Sequence, residues 1–298
     1  MLVRPFYTIP ALGTPSQHTS VAIFSADTYV VDFLGKEIEE TFPGSAFIEA
    51  QLSIDTVQLA RGHKAVCCFV NDDLGRPVVA ALALAGVRFL ALRCAGFDRV
   101  DLIACEELGI GVARVPHYSP SSVAEHAVAL LLCLNRNLHR AYFRMLAGNY
   151  TLSGLEGFEM RGKTVGVIGT GTHHIINGAC LDSMKKGAIL VNVSRGGLIE
   201  TKAAMAALEH GQLGGLALDV YEYEGPLFNR DWGTYPCSQY YKTWNKEFDA
   251  LKSYPNVLIS PHSAFLTKEA LASIACTTVA NIREFQEGKR LTFEVKSQ

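Results

Sequence analysis

The chain has 298 residues, which suits about two domains at roughly 150 residues each. Apolar residues make up 49% of it and charged residues 19%, a balance that excludes a disordered protein. The net charge is −2 at pH 7. With no long run of Lys or Arg, this argues against a protein that binds nucleic acid or a membrane surface.

No apolar run reaches the roughly 18 residues needed to span a bilayer. The first 26 residues lack the apolar core of a secretory signal, so we expect a cytoplasmic protein. An organellar leader remains an alternative for this acid-free start, although Arg4 is its only arginine. The eight cysteines form no C-x-x-C pair, which predicts reduced thiols and neither a disulfide scaffold nor a zinc ribbon.

The first 118 residues alternate short apolar runs with helical patterns. The runs predicted as strands are 20–25, 46–49, 65–70, 88–93 and 111–115. They are apolar throughout, as buried parallel strands are. The stretches with helical spacing between them are 29–41, 54–61, 77–85 and 99–108. This alternation predicts a doubly wound α/β domain.

A long helix is predicted next, over about 121–146, because apolar residues recur near the 3.6-residue period. Pro120 suits a first helical position, and Ser122 with Glu125 forms a capping-box pattern. A helix of this length after a compact domain indicates a bridge to a second one.

The second region predicts a parallel sheet of four strands, at 165–168, 189–193, 216–220 and 257–259. Helices are predicted at 201–209 and 268–286. The stretch 229–246 has no clear period and is interpreted as a surface loop.

The first of these strands ends in a glycine turn, Gly169-Thr-Gly171. Gly169 permits a tight turn, and Gly171 would let backbone N–H groups approach a pyrophosphate. The third glycine and the acid about 20 residues later are absent. His173 and His174 follow instead; we expect these neighbours to point apart and, lacking a third ligand, to bind no metal.

Polar residues follow the other three strands of the predicted sheet. Arg195 follows one strand, Glu224 comes after the next, and His262 follows the last. Arg offers a planar fork of donors suited to a carboxylate, and a carboxylate beside an imidazole fixes its tautomer. A surface arginine at a glycine turn and a structural histidine are the alternatives. Because carboxyl ends of parallel strands share one edge, we expect the three residues to converge on one site.

Six segments in order carry a family resemblance. They are LRCAGFDRVDL at 92–102, VPHYSPSSVAEHAVALLL at 115–132, GKTVGVIGTG at 162–171, GAILVNVSRGGLIE at 187–200, LALDVYEYEGPLF at 216–228 and PNVLISPHSAFLTKEAL at 255–271. In these segments the chain resembles the D-isomer-specific 2-hydroxyacid dehydrogenases, and within them the D-lactate dehydrogenase branch.

The resemblance implies two doubly wound parallel-sheet domains. A flavodoxin-like substrate domain would comprise 1–119 and 265–298, and a truncated Rossmann domain for NAD would comprise 120–264. It implies a small 2-hydroxy or 2-keto acid substrate and a homodimer formed through the long helix region. NAD is the expected cofactor. NADP stays open because the residue that distinguishes the two would lie in the family segment that this chain lacks after Gly171.

Residue roles are also carried over from the family. Arg195 would hold the substrate carboxylate and carbonyl, His262 would exchange the proton of the 2-oxygen, and Glu224 would pair with His262. The remaining roles implied are substrate binding by Ala95, Gly96 and Tyr118, and cofactor binding by Gly169, Gly171, Ser194 and Asp219.

One departure from the family is large. Gly171 joins directly to Thr172, whereas the family has further strand–helix units at this point, on the order of 60 residues at about 30 per unit. We expect an internal deletion at 171/172, as a skipped exon or a mistaken gene model would produce. Two hypotheses follow: a dehydrogenase by descent, or a catalytically impaired or non-catalytic relative that binds NAD poorly.

Overall fold

The computed structural model describes residues 19–167, 172–228, 231–233 and 244–297. It divides into two compact units, Met1–Ser119 with Thr267–Gln298, and Pro120–Leu266. Each unit has a parallel sheet with helices packed on it, so the predicted α/β class is confirmed. Within the described part of the chain, no helix combines the length and hydropathy that crossing a membrane would require.

The first unit has a five-stranded parallel sheet in the order β2-β1-β3-β4-β5, the flavodoxin-like order. Its strands are β1 Val21–Ile23, β2 Ala46–Phe47, β3 Ala65–Cys68, β4 Phe89–Leu92 and β5 Gly111–Arg114. Its helices are α1 Thr28–Thr41, α2 Arg76–Leu84, α3 Leu102–Glu107 and, returning from the second unit, α9 Lys268–Gln286.

Helices cover both faces of this sheet, which is why its strands are apolar throughout. On one face Ala22, Val66 and Leu90 pack with residues of α2 and α3. On the other face Ile23 and Phe89 pack with residues of α1 and α9. Alternate residues of one strand therefore enter two different cores.

The second unit has a three-stranded parallel sheet in the order β6-β7-β8. Its strands are β6 Ala188–Asn192, β7 Leu213–Leu218 and β8 Val257–Ile259. Its helices are α4 Pro120–Asn135, α5 Leu138–Leu146, α6 Gly178–Ser183, α7 Thr201–Glu209 and α8 Lys246–Ser253. Helix α4 packs Leu130 and Leu134 on one face of the sheet. Helices α6, α7 and α8 lie in the core on the other face.

The predicted first strand of this sheet, 165–168, is wrong over its described residues. Residues 163–167 have no strand conformation, and the side chains of Val165 and Val167 are 65% and 92% exposed. A strand forms only where a neighbouring strand accepts its hydrogen bonds. The sheet therefore has three strands among the described residues rather than four, and Ile168 lies outside them.

Two helix predictions also need correction. The long helix ends at Asn135 and resumes at Leu138, because Asn137 adopts a left-handed conformation with φ 51°, which asparagine tolerates. The predicted helix 54–61 is only a 3₁₀ turn, Val57–Ala60. Its start is diverted by Thr56, whose hydroxyl donates to the carbonyl of Gln51 at 2.7 Å.

Helices α6 and α8 were missed by the sequence analysis. Each begins at an asparagine, Asn177 or Asn245, whose side chain accepts a hydrogen bond from the first turn. That capping signal was present in the sequence. The predicted loop 229–246 lies largely outside the described residues.

Candidate active site

Glu224 and His262 form a close contact between an acid and an imidazole at the carboxyl end of the second sheet. Nδ1 of His262 lies 2.6 Å from Oε1 of Glu224, and both side chains are largely buried. The other carboxylate oxygen, Oε2, accepts the backbone N–H of Tyr221 at 2.9 Å. An ionised carboxylate only accepts hydrogen bonds, so opposite such a carboxylate the imidazole hydrogen would lie on Nδ1 and Nε2 would be left without one.

The loop that carries His262 is organised by Asp219, directly after β7. The Asp219 side chain is fully buried and accepts hydrogen bonds from Oγ of Ser260 and from the backbone N–H groups of Ser263 and Ala264, at 2.6 to 2.9 Å. The backbone N–H of His262 donates to the Asp219 carbonyl at 2.8 Å. Asp219 thus acts as a positioning residue for His262; the cofactor contact predicted for it stays a prediction.

His262 itself has a left-handed backbone, with φ 54°. This conformation is uncommon for a residue other than glycine and is held here by the surrounding hydrogen bonds. Strained backbone of this kind is concentrated at functional sites.

Arg195 lies in the turn after β6, and that turn is held by Asn192. The Asn192 side chain donates to the Arg195 carbonyl at 2.8 Å and accepts the N–H of Ser194 at 3.1 Å. The next residue, Gly196, lies against the backbone of Tyr221 and Glu222. The turn that carries Arg195 therefore packs on the turn that leads to Glu224. Ser194 is exposed at the same end of the sheet.

The predicted substrate residues of the first unit follow β4 and β5. The carbonyl of Ala95 accepts a hydrogen bond from Nη1 of Arg114 at 2.8 Å, and the carbonyl of Gly96 accepts one from Sγ of Cys94 at 3.3 Å. The backbone N–H groups of Ala95 and Gly96 donate to no acceptor within the described ranges. They are thus available to an anionic group. Tyr118 is half-buried.

His126 was not selected from the sequence, yet it joins this site. It lies on α4, and its Nε2 is 3.0 Å from Oγ of Ser260 and 3.3 Å from Oδ1 of Asp219. The sequence signal for His126 was a histidine among apolar residues on a long helix. Its partners, Ser260 and Asp219, are distant in sequence and lie near it only in the fold.

The described residues do not supply the pyrophosphate site of a dinucleotide. Gly169 and Gly171 lie outside them, and residues 163–167 before this turn are exposed and outside the sheet. Helix α6 begins only at Gly178. A pyrophosphate is bound by N–H groups of a helix that starts at the glycine turn, and a ribose by an acid that ends the following strand. Neither feature lies in the described part of the chain, so a weakened dinucleotide site stays a prediction.

A model of the D-isomer specific 2-hydroxyacid dehydrogenase catalytic domain matches residues 21–296 of the chain. The chain is 39% identical to 2-hydroxyacid dehydrogenase A of Aspergillus oryzae over an alignment of 324 positions, which covers 89% of this chain and 92% of that protein. It is 37% identical to D-lactate dehydrogenase of Escherichia coli, over 90% and 97% of the two chains.

A solved structure is also similar to this one. It comes from work identifying the pyruvate reductase of Chlamydomonas reinhardtii, and superposes with a TM-score of 0.86 at 43% identity. The superposition covers 93% of this chain and 98% of that one.

Proposed function

Because the chain belongs to the D-isomer specific 2-hydroxyacid dehydrogenase family, whose members are NAD-dependent oxidoreductases, we propose that Arg195, Glu224 and His262 are the substrate and proton-transfer residues of such an enzyme. The observation that carries this proposal is the 2.6 Å contact between His262 and Glu224. We further propose a small 2-hydroxy acid such as D-lactate, with its 2-keto acid, as the substrate pair.

Each residue has a role that its environment supports. His262 gives a proton from Nε2 to the 2-oxygen when a keto acid is reduced, and takes it back in the reverse direction. Glu224 holds the imidazole in the required tautomer and stabilises its charged form. The planar guanidinium of Arg195 binds the substrate carboxylate.

Three residues of the first unit are assigned to the substrate by family resemblance alone. The N–H groups of Ala95 and Gly96 are assigned to the substrate carboxylate, and Tyr118 is assigned to substrate contact. Ser194, Gly169 and Gly171 are assigned to the cofactor by family resemblance.

We propose that the chain lacks an internal segment of its dinucleotide domain, between Gly171 and Thr172. The alignment to the Aspergillus oryzae relative runs over 324 positions, while 89% of 298 residues is about 265, so about 59 positions have no residue of this chain. The same arithmetic for the Escherichia coli relative, from 327 positions and 90%, also gives about 59. This supports the loss of roughly two strand–helix units.

It follows from this proposal that the 298-residue chain binds NAD, or NADP, far more weakly than an intact relative. One lost charged hydrogen bond to a ligand costs about 1.5–3 kcal/mol. Because about 1.4 kcal/mol is a factor of ten, losing several weakens binding by three or more orders of magnitude. The exposed side chains of Val165 and Val167 favour this impaired form over an active enzyme.

The experiment compares two proteins by NADH fluorescence and by reduction of pyruvate. One is this chain; the other carries the corresponding 60 or so residues of the Aspergillus oryzae relative between Gly171 and Thr172. We expect saturable NADH binding and turnover only in the second, and loss of that turnover on His262→Ala.

Two outcomes contradict the proposal in different ways. Micromolar NADH binding and turnover by the 298-residue chain would overturn the proposed impairment. An inserted chain that binds NADH but reduces no 2-keto acid would overturn the assignment of the three residues.

We also infer a homodimer and a cytoplasmic location. Apolar side chains on one face of α5 support the first inference. Free thiols at the seven described cysteines support the second.

A further inference from the structure

His173, His174 and Glu222 form a cluster that the reaction does not use. Nε2 of His174 lies 2.6 Å from Oε1 of Glu222, and Nε2 of His173 lies 3.9 Å from the same oxygen. The two imidazole rings stack, with centroids 3.7 Å apart and planes inclined by 29°. One nitrogen or oxygen of each of the three residues lies within 4.8 Å of those of the other two. The expectation that these histidines point apart and lack a third ligand is therefore wrong.

The backbone of His174 explains why the rings meet. Side chains of adjacent residues point to opposite sides in an extended chain, but His174 has φ 52°, a left-handed conformation. Its N–H donates to the carbonyl of Gly197 at 2.8 Å, which fixes this kink. Gly197 also leaves room for His173, because a Cβ at Gly197 would lie 3.1 Å from the His173 ring.

A hydrogen bond on its far carboxylate oxygen orients Glu222 toward the two histidines. Its Oε2 accepts a hydrogen bond from the hydroxyl of Thr201 at 3.0 Å, which leaves Oε1 to face the imidazoles. Burial raises the pKa of Glu222, but the hydrogen bonds from His174 and Thr201 outweigh burial and the pKa falls below its ordinary 4.5. Outer hydrogen bonds of this kind orient carboxylate ligands in metal sites.

We propose that His173, His174 and Glu222 bind a divalent transition-metal ion, with Zn²⁺ as the ion that fits their chemistry. Two imidazoles and one carboxylate are a known three-ligand set for zinc, with a fourth position left for water. Ligands about 2.0–2.2 Å from a tetrahedral ion are about 3.3–3.6 Å from one another. The two observed separations from Oε1, 2.6 and 3.9 Å, lie on either side of that range. Because the two imidazole rings are stacked, binding would also require the exposed His173 ring to turn so that both Nε2 atoms face the ion.

The proposed ion would join three chain segments of the second unit. Those segments are the one that begins at Thr172, the turn around Gly197 and the turn around Glu222. Binding to the folded state alone would then raise the melting temperature in proportion to the logarithm of the zinc concentration.

The test is calorimetric titration of the chelator-treated full chain with Zn²⁺, beside the His173→Gln variant. His173 suits this purpose because its side chain is 70% exposed, so its replacement removes a ligand and no core. We expect one ion per chain at micromolar affinity, and at least a tenfold loss of affinity in His173→Gln and in Glu222→Gln. The matched control is His210→Gln, an exposed histidine on the same unit, with affinity unchanged.

Co²⁺ replaces Zn²⁺ in a second measurement that separates histidine from thiol ligands. Absorption bands of tetrahedral Co²⁺ without a sulfur-to-metal charge-transfer band support the site. Three outcomes would overturn the proposed zinc site: a sulfur charge-transfer band, equal affinity in all variants, or no saturable binding. The last is expected if His174 and Glu222 form only an ion pair with each other.

Discussion

Gly196 packs directly against the backbone of Tyr221: a Cβ atom at this glycine would overlap the carbonyl carbon of Tyr221 and the nitrogen of Glu222. The turn after β6 and the turn after β7 are thus in backbone contact. Because Arg195 precedes the glycine and Glu224 follows the tyrosine by three residues, this contact sets the spacing of two site residues.

Gly196→Ala should therefore destabilise the second unit. Overpacking a close contact costs about 1–3 kcal/mol, and the shift would displace Arg195 as well. Urea denaturation measures the free energy of unfolding. Gly178→Ala is the control, because a Cβ there meets nothing within 4 Å; equal stability of the two variants would contradict the proposed contact.

Glu224→Gln should change the tautomer of His262. The glutamine amide can donate a hydrogen bond to Nδ1 of His262. Nδ1 then acts as the acceptor, and the imidazole hydrogen lies on Nε2. ¹⁵N NMR of histidine-labelled protein reports this exchange directly and needs no activity. In the chain with the inserted segment, turnover should fall by about 10²–10⁴-fold. Glu209→Gln, at an exposed acid of the same unit, should leave the His262 resonances in place, and an unchanged tautomer in Glu224→Gln would count against the pairing.

His63 makes the stability of the first unit depend on pH. Burial lowers the pKa of His63 below its ordinary 6.5, and its Nδ1 lies 3.1 Å from Oγ of Ser20. Below about pH 6.5, His63 is protonated in the unfolded chain, whereas burial disfavours its protonation in the folded chain. The stability from this residue is therefore full above that pH and is lost as the pH falls toward the folded pKa.

The measurement is urea unfolding at pH 7.5 and pH 5 for the parent chain and for His63→Gln. We expect a smaller drop in unfolding free energy in the variant. His117→Gln, at an exposed histidine of the first unit, should behave as the parent; the same drop in all three proteins would assign the pH dependence to other groups.

The sequence predicted the parts of the fold that depend on local pattern and full burial. Each strand of the first unit lies within a predicted apolar run, and helix α7 has the predicted bounds 201–209. The described part of the predicted strand 165–168, residues 165–167, is equally apolar but pairs with no strand in the described chain. Strand formation depends on residues far away in the sequence, so no local pattern could reveal this.

The same distinction holds for the site. Arg195, Glu224 and His262 were selected because they follow parallel strands, whose carboxyl ends share one edge of a sheet. The structure joins Glu224 to His262, and the roles of all three residues stay predictions. The contact of His174 with Glu222 spans 48 residues and depends on a left-handed backbone at His174. The spacing of residues along the sequence reveals neither the long-range contact nor the left-handed backbone, so the sequence analysis predicted no metal binding by these histidines.

Helix α5 presents one apolar face that no described residue buries. Leu138, Tyr142 and Leu146 recur every fourth residue, and are 56%, 63% and 68% exposed. An exposed apolar stripe of this length is typical of an interface. We expect the chain to dimerise through it, which analytical ultracentrifugation measures as a concentration-dependent shift from one to two chains.

The double variant Tyr142→Glu/Leu146→Glu should weaken that dimer by at least about 100-fold, because each charge buried without a partner costs more than the 1.4 kcal/mol that a factor of ten represents. The control is Leu84→Glu/Ile103→Glu, which places the same charges at two exposed apolar residues of the first unit, 91% and 57% exposed, and should dimerise as the parent does. A parent chain that remains monomeric at high concentration, or a dimer that both double variants retain, would show that this face has another use.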